Sequence, residues 1–258
     1  MLSPRQREHF AERGFVRLPG VFSRDAAAAM EQRVWEWLER HHGVRRDDPA
    51  SWTLAQPTGL QPLKHQAVFD PNGGAMLLAA LDELLGAGCW KHPREWGGFL
   101  VSFPSAGETR ARAPWHTDFD YRGPSDRVFG ALVFSYLCDV PPGAGGTLAV
   151  AGSHRVIRGF VEGRSRTALA PMKTVRLALM HSDPWLTALA AEESAGRIDL
   201  APLCGERSVA GVPVEIVELS GEAGDVVVGH PWLLHRGAPN RGERPRFMRV
   251  QRVQCAVA

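Results

Sequence analysis

Cysteine is scarce in this sequence, and its four copies lie far apart, at Cys89, Cys138, Cys204 and Cys255. None of them forms a Cys-x-x-Cys pair, which argues against a zinc ribbon or a thioredoxin-type redox site. The sequence also lacks an apolar run long enough to span a membrane, and Met1 leads into a charged, polar stretch rather than a secretory signal. We therefore expect a cytoplasmic protein with reduced thiols and no membrane partner.

An excess of charge of one sign is also absent. The 30 Lys and Arg residues nearly balance the 28 Asp and Glu residues, the net charge is +2, and the arginines are scattered. This argues against nucleic acid as the main partner. Hydrophobic residues make up 44% of the chain, and no repeat or low-complexity segment divides it. The 258 residues are therefore expected to form one domain, residues 1–258, with a sizeable core and an oligomeric state that stays open.

Helices and a short strand are predicted in the first third of the chain. A strand is expected near Phe15–Leu18, and Ser23 is a suitable N-cap for a helix that runs through Leu38 with apolar residues at helical spacing. A second helix is expected over Met76–Leu85, with Gly86 as its stop signal.

From about Gly97 onward the pattern changes to short β-rich runs separated by Gly and Pro. Many short strands with turn signals between them indicate a sandwich or barrel. The predicted strands are Gly98–Phe103, Val128–Leu137, Thr147–Val150, Val214–Leu219, Asp225–Val228 and Phe247–Val253. Residues 155–203 interrupt this pattern with helical spacing, which predicts a helical insertion that acts as a lid or covers an exposed sheet edge.

A candidate metal site comes from three residues. His116 and Asp118 are two apart on a predicted extended segment, so their side chains point to the same side and can bind one ion together. His235 lies far along the chain, where only the fold can bring it close. Two His and one carboxylate are the ligand set of non-haem iron(II) oxygenases, which leaves three metal positions open. His230 is the alternative third ligand, and a plain surface His–Asp pair is the alternative to a metal site.

Arg246 follows His235 after a Gly-Ala-Pro-Asn-Arg-Gly stretch, which predicts that the two residues lie on adjacent antiparallel strands. A guanidinium there suits a carboxylate of a bound 2-oxo acid, because it can hold both oxygens. The alternatives are Arg244, which precedes a Pro and is expected in the turn, and Arg249, which is expected to face the other side of the strand.

The chain resembles the phytanoyl-CoA dioxygenase family over nearly its whole length. Phe10–Phe22 is similar to the start of that family, and His116-Thr117-Asp118 matches its His-x-Asp motif. Gly146–Arg155 matches its Gly-Ser-His-Arg stretch, although Ala151 stands where Pro is more usual. His235–Arg246 matches its distal His and its 2-oxoglutarate Arg.

The resemblance implies a mainly β fold with helices: a double-stranded β-helix, also described as a jelly-roll or cupin-like fold, with N-terminal helices. It implies Fe(II), 2-oxoglutarate as cosubstrate and O2, with His116, Asp118 and His235 as metal ligands and catalytic residues. It also implies that Arg246, Lys64, Phe134 and Thr147 contact 2-oxoglutarate. The expected reaction hydroxylates an aliphatic C–H bond of a small molecule, with secondary metabolites among the candidate substrates, and releases succinate and CO2.

Several aromatic and basic residues near these motifs are either core residues or substrate contacts. The candidates for substrate are Phe119, Tyr121, Trp232 and Arg112, whereas Trp115 is expected to face away from the metal. His154 in the Gly-Ser-His stretch is expected to brace a tight turn.

Other outcomes with the same cofactors are desaturation, epoxidation and cyclisation. Halogenation is disfavoured because Asp118 occupies the position that halide would need. A metal-free binding protein on the same fold and a zinc hydrolase are the alternatives from other classes.

Overall fold

The computed structural model describes residues 1–104, 114–194 and 200–255. Their helices are α1 (Pro4–Arg13), α2 (Arg24–His42), α3 (Ala75–Leu85), α4 (Ser153–Val161), α5 (Met172–Met180) and α6 (Pro184–Ser194). Their strands are β1 (Phe15–Leu18), β2 (Gly98–Ser102), β3 (Gly130–Tyr136), β4 (Thr147–Ala151), β5 (Arg207–Val209), β6 (Val212–Leu219), β7 (Val226–Gly229), β8 (His235–Gly237) and β9 (Arg246–Gln254). Short 3-10 helices lie at Pro49–Ser51, Gln61–His65, Ala67–Gly73 and Ala201–Leu203.

Two antiparallel sheets form the double-stranded β-helix that the sequence predicts. One has five strands in the order β1-β7-β3-β9-β2, and the other has four in the order β5-β6-β4-β8. Side chains from both sheets meet in one buried cluster, which includes Phe134 and Met248 from the larger sheet and Ala149 and Leu219 from the smaller one. This cluster fills the interior between the sheets.

Helices cover the outer faces of both sheets. Leu38 of α2 and Leu81 of α3 share a core cluster with Val133 and Val228, which lie on the outer face of the larger sheet. Val156 of α4, Leu179 of α5 and Leu189 of α6 share another cluster with Val150 and Val214 of the smaller sheet. Helices α4, α5 and α6 of the predicted insertion therefore pack on a sheet face, and the role of residues 155–203 as a lid stays a prediction.

The ends of the predicted elements agree closely with those in the structure. Ser23 caps α2 by accepting a hydrogen bond from the main-chain N–H of Ala26, and Gly86 follows the end of α3. Helix α1 was not predicted, although Ser3 and Gln6 form a reciprocal capping box around Pro4, a recognisable helix start. No helix within the described residues is long and apolar enough to cross a bilayer.

Candidate metal and 2-oxo-acid site

His116 and His235 meet through their main chains. The N–H of His116 donates to the carbonyl of His235 at 3.0 Å, and the N–H of His235 donates to the carbonyl of His116 at 2.9 Å. This exchange is an isolated antiparallel bridge rather than part of a longer ladder at His116. The two imidazole rings then lie side by side, with their centroids 4.4 Å apart.

Asp118 completes a compact group with these two rings. Its carboxylate oxygens lie 3.7 Å from His116 Nε2 and 3.9 Å from His235 Nε2. One ligand atom from each of the three residues falls within 4.8 Å of the others. Atoms bound to one ion at ~2.0–2.2 Å lie ~3 Å apart when their bonds are at right angles, so the three side chains would draw together by roughly 1 Å on binding an ion. The structure thus brings together the three residues predicted as metal ligands.

Both imidazoles are oriented by the same local contact. His116 Nδ1 lies 2.8 Å from the carbonyl of Pro114, and His235 Nδ1 lies 2.9 Å from the carbonyl of Leu233. A carbonyl only accepts, so Nδ1 carries the proton in each ring and Nε2 keeps a free lone pair. Metal-binding histidines in proteins usually have their second nitrogen bonded in this way.

The electrostatics also suit a metal. Burial, with a smaller contribution from His116, lowers the pKa of His235 to about 4, so its imidazole is neutral at neutral pH. The His235 side chain is 6% exposed, whereas His116 and Asp118 are 34% and 25% exposed. The group is therefore closed on the His235 side and open to solvent on the other.

Trp232 and Phe134 support the site from two directions. Trp232 Nε1 donates to the carbonyl of Asp120 at 3.1 Å, which ties the segment before His235 to the segment after Asp118. The ring of Phe134 meets the His235 ring edge to face, with centroids 5.7 Å apart. The insertion contributes as well, because Arg176 of α5 donates to the carbonyl of Trp115 at 2.9 Å.

Arg246 lies buried at the start of β9. Its Nε donates to Ser102 Oγ at 3.1 Å, and its Nη1 lies 3.3 Å from Met248 Sδ. Burial lowers the pKa of its guanidinium to about 10, which still leaves it charged at neutral pH. It makes no salt bridge with any described residue. A buried cation without a protein carboxylate fits the carboxylate of a bound ligand.

The predicted placement of Arg246 and His235 on adjacent strands was wrong. His235 lies on β8 of the smaller sheet, and Arg246 lies on β9 of the larger one. The chain between them crosses from one sheet to the other instead of turning back as a hairpin. Asn240 anchors this crossing, because its Nδ2 donates to the carbonyls of Ser102 and Arg244.

The two alternative arginines have other surroundings. Arg249 faces the helical side of the sheet, as predicted, where it donates to Asn72 Oδ1 at 2.8 Å and to the carbonyl of Gly97 at 2.7 Å. Arg244 is exposed in the crossing segment. It lines a cavity of about 870 Å³ that also reaches Arg246 but includes none of the three candidate metal ligands.

The remaining predicted 2-oxoglutarate contacts lie on different sides of the site. Thr147 is buried on β4, on the same face as Ala149, which pairs with His235. Lys64 lines a cavity of about 600 Å³ together with Asp118. Their roles in cosubstrate binding stay predictions, as does that of Phe134.

The residues predicted to contact substrate lie in different parts of the structure. Phe119 belongs to the cluster between the sheets, whereas Tyr121 and Trp232 are buried in the cluster beneath α4–α6, together with Trp115. Arg112 lies outside the described residues. Substrate contact by these side chains stays a prediction.

The two histidines considered besides the candidate ligands pack against each other. The ring centroids of His154 and His230 lie 4.7 Å apart. His154 Nε2 lies 3.0 Å from the carbonyl of Ala11, and His230 Nδ1 accepts from the main-chain N–H of Trp232. Neither belongs to the group of candidate ligands, so His230 is not placed to replace His235.

Ser102 and Arg252 are two residues of the site that the sequence analysis missed. Ser102 contacts Arg246, and Arg252 lies beside Asp118, with its Nη1 3.5 Å from the Asp118 carbonyl. The sequence could have indicated Arg252, because it lies an even number of residues after Arg246 and therefore shares its face of the strand. No comparable signal marks Ser102.

Solved structures with the same fold include the following three proteins. The epimerase SnoN from nogalamycin biosynthesis, solved with Fe3+, α-ketoglutarate and nogalamycin RO, is 18% identical with a TM-score of 0.58, covering 98% of this chain and 83% of that one. HygX from Streptomyces hygroscopicus, solved with nickel and 2-oxoglutarate, is 16% identical with a TM-score of 0.57, covering 99% and 88%. AviO1 from Streptomyces viridochromogenes Tue57 is 20% identical with a TM-score of 0.57, covering 98% and 95%.

Comparison at the level of sequence gives the family. No curated protein is significantly similar to the chain as a whole. The family model for phytanoyl-CoA dioxygenase, however, matches residues 10–248, a span that contains all three candidate ligands and Arg246. The chain therefore belongs to the phytanoyl-CoA dioxygenase family.

Proposed function

We propose that the chain is a non-haem iron(II) dioxygenase that uses 2-oxoglutarate and O2 to hydroxylate an aliphatic C–H bond of a small molecule. In this proposal His116, Asp118 and His235 bind the iron, and succinate and CO2 are the coproducts. The convergence of one ligand atom from each of these three residues within 4.8 Å supports it most directly. Family membership and the shared fold agree with the same class of enzyme.

The donor set fits iron(II) and its cosubstrate. Two neutral imidazoles and one carboxylate neutralise only part of the charge of a divalent ion and leave coordination positions open. When bound, the iron and 2-oxoglutarate supply the oxidising chemistry, which no protein side chain provides. The contacts from Pro114 and Leu233 keep each Nε2 unprotonated and aimed at the ion.

The chain's further task is to hold the cosubstrate and exclude water. Arg246 would bind the far carboxylate of 2-oxoglutarate, and Ser102 would hold the guanidinium in place. Thr147 and Phe134, both buried, would line the same space between the sheets, and Lys64 would assist from the open side. The apolar cluster around Phe134 and Met248 supplies the dry surroundings that such chemistry needs.

Related structures suggest a class of substrate and a range of reactions for this chain. SnoN is an epimerase and SnoK a carbocyclase, and both have this fold. We therefore propose a small molecule of secondary metabolism as substrate, with desaturation, epoxidation or cyclisation as alternatives to hydroxylation. Asp118 is retained as a ligand candidate, so halogenation is not proposed.

A succinate-release screen against candidate small molecules, with iron(II) and 2-oxoglutarate supplied, tests the function. Hydroxylation predicts succinate, oxygen uptake and a product that gains one oxygen atom. A product that loses two hydrogens would indicate desaturation or cyclisation, and NMR of a product that gains one oxygen separates a hydroxyl group from an epoxide. Turnover without oxygen uptake would indicate a hydrolase, and failure to bind any metal would indicate a binding protein.

Residues 1–258 are proposed to act as one domain, with the insertion over 155–203 as a lid. The hydrogen bond from Arg176 to the Trp115 carbonyl supports this, because it links α5 directly to the residue before His116. Slower hydrogen exchange in α5 after loading with Ni(II), 2-oxoglutarate and substrate is the expected result. Equal exchange with and without these ligands would remove the lid role.

A further inference from the structure

A polar cleft opens beside Asp118 on the exposed side of the candidate metal site. Its volume is about 600 Å³, and its walls include Lys64, Asp118, Val250, Gln251, Arg252 and Gln254. We call this space the outer cleft. Two of these lining residues, Lys64 and Arg252, are positively charged, and one is negatively charged. The anion is Asp118, whose charge the metal would take up.

The register of β9 shows which way Arg252 points. Arg252 pairs with Leu132 and Val250 pairs with Phe134, and both partners belong to the cluster between the sheets. Residues directly opposite each other in an antiparallel pair share a face, so Arg252 leaves the strand on the inner side. Arg246 lies on this same face, at the other end of the strand.

The inner face of β9 therefore has an arginine at each end. Six residues of strand span ~20 Å, so Arg246 and Arg252 are too far apart to bind the same small anion. Arg246 is buried with Ser102, whereas Arg252 is exposed beside the Asp118 carbonyl. Buried Arg246 therefore suits a cosubstrate held inside the barrel, and exposed Arg252 suits a molecule that enters from solvent.

Neither cation of the outer cleft is neutralised by the part of the chain that the structure describes. Lys64 and Arg252 make no salt bridge there, in contrast to Arg122, which is paired with Asp120 a few residues from the metal motif. Among residues 1–104, 114–194 and 200–255, the Arg252 guanidinium makes one weak hydrogen bond, at 3.5 Å to the Asp118 carbonyl, which leaves donors for a ligand.

We propose that the substrate carries an acidic group, a carboxylate or a phosphate ester, which Arg252 binds in the outer cleft, with Lys64 as a second cation that lines it. Binding there places the rest of the molecule beside Asp118, at the open side of the metal site. The inference rests on the proposed function, and it gives Arg252 the part of a specificity-determining residue.

The test is binding, measured apart from turnover. The protein loaded with Ni(II) and 2-oxoglutarate is probed by saturation-transfer NMR with small carboxylic acids, phosphate monoesters and their neutral amides and alcohols. We expect the acids of one or both series to bind and their neutral counterparts to bind at least ten-fold more weakly. The Arg252→Gln variant should lose this preference, and Arg252→Lys should retain part of it.

Arg40→Gln is the matched control, because Arg40 is an exposed arginine of α2 away from the cleft. It should bind acids as the wild type does. Equal binding of acids and neutral counterparts, no binding of any acid, or an unchanged preference in Arg252→Gln would overturn the inference. If Arg252→Gln instead weakens Ni(II) binding, Arg252 positions Asp118 and the inference is also wrong.

The same samples separate this inference from the proposed function. Titrations of Ni(II) and 2-oxoglutarate report on the metal site and on Arg246, and they do not depend on the acid. Normal metal and cosubstrate binding with no preference for acids would overturn only the inference about substrate. Loss of metal binding in the wild type would overturn the function itself.

Discussion

Trp232 Nε1 donates a hydrogen bond to the carbonyl of Asp120, at 3.1 Å, and thereby joins the two chain segments that carry the candidate metal ligands. His116 and Asp118 come just before Asp120, and His235 comes just after Trp232. Among the described residues, the main-chain bridge between His116 and His235 and this indole contact both join the two distant segments. Their relative position should therefore depend on Trp232.

Replacing Trp232 by Phe keeps most of the buried ring and removes the donor. We expect metal affinity to fall by about 10-fold, in line with other contacts that orient metal ligands without touching the metal. Anaerobic Fe(II) titration measures this. Trp90→Phe is the control, since it removes an indole hydrogen bond, to Asp82, that lies elsewhere on the protein. Equal losses in both variants would mean that the contact from Trp232 does not set the metal site.

Replacing Arg246 by Ala should weaken 2-oxoglutarate binding and leave iron binding largely intact. A charge-assisted pair that grips both carboxylate oxygens contributes a few kcal/mol, so we expect a loss on the order of 10²-fold in affinity. Titration of 2-oxoglutarate into the Ni(II)-loaded protein gives this number. Arg244→Ala serves as the control and should change little. An unaltered affinity in Arg246→Ala would contradict the role proposed for Arg246.

The free energy of unfolding should decrease as the pH falls, in part because His154 is buried. Burial is the main cause that lowers the pKa of this imidazole from 6.5 to about 4 in the folded protein. The unfolded chain therefore binds more protons between these two values. The stability that the neutral ring contributes is fully present above pH 6.5, declines as the pH falls towards 4, and is constant below that. The lost contribution is on the order of 3 kcal/mol.

The measurement is the free energy of unfolding by urea across this pH range, for the metal-free wild type and for His154→Gln. The variant should show a shallower decline between pH 6.5 and 4. His230, which packs against His154, has its pKa lowered in the same direction by burial, so part of the slope should remain. Parallel curves for the two proteins would contradict the assignment to His154.

Local patterns in the sequence predicted most of the strands and picked out the two segments that carry the candidate metal ligands. Alternation and turn residues are properties of a few neighbouring residues, and they indicated β3, β4, β6 and β9 nearly to their ends. The wrong prediction concerned the segment from His235 to Arg246, because Gly, Pro and Asn also occur where a chain crosses between sheets. The anchor of that crossing is the contact from Asn240 to the Ser102 carbonyl, which no local pattern reveals.

Long-range contacts also explain what was missed within the site. Ser102 reaches Arg246 only because β2 pairs with β9, and that pairing joins residues far apart in the chain. The bridge between His116 and His235 is of the same kind. The residue types of the site could be inferred from the sequence, whereas their contacts required the fold.

Removing the Asp118 carboxylate tests the account most directly. Asp118 supplies the only negative charge among the three candidate ligands, and its two oxygens face both imidazoles. The experiment measures iron stoichiometry by anaerobic titration, together with succinate formation, for the wild type, Asp118→Ala and the control His154→Gln. We expect Asp118→Ala to lose tight iron binding and hydroxylation, while His154→Gln keeps iron content near that of the wild type. A folded Asp118→Ala protein that binds iron as tightly as the wild type and still forms succinate with substrate would contradict the metal-site assignment and the proposed function.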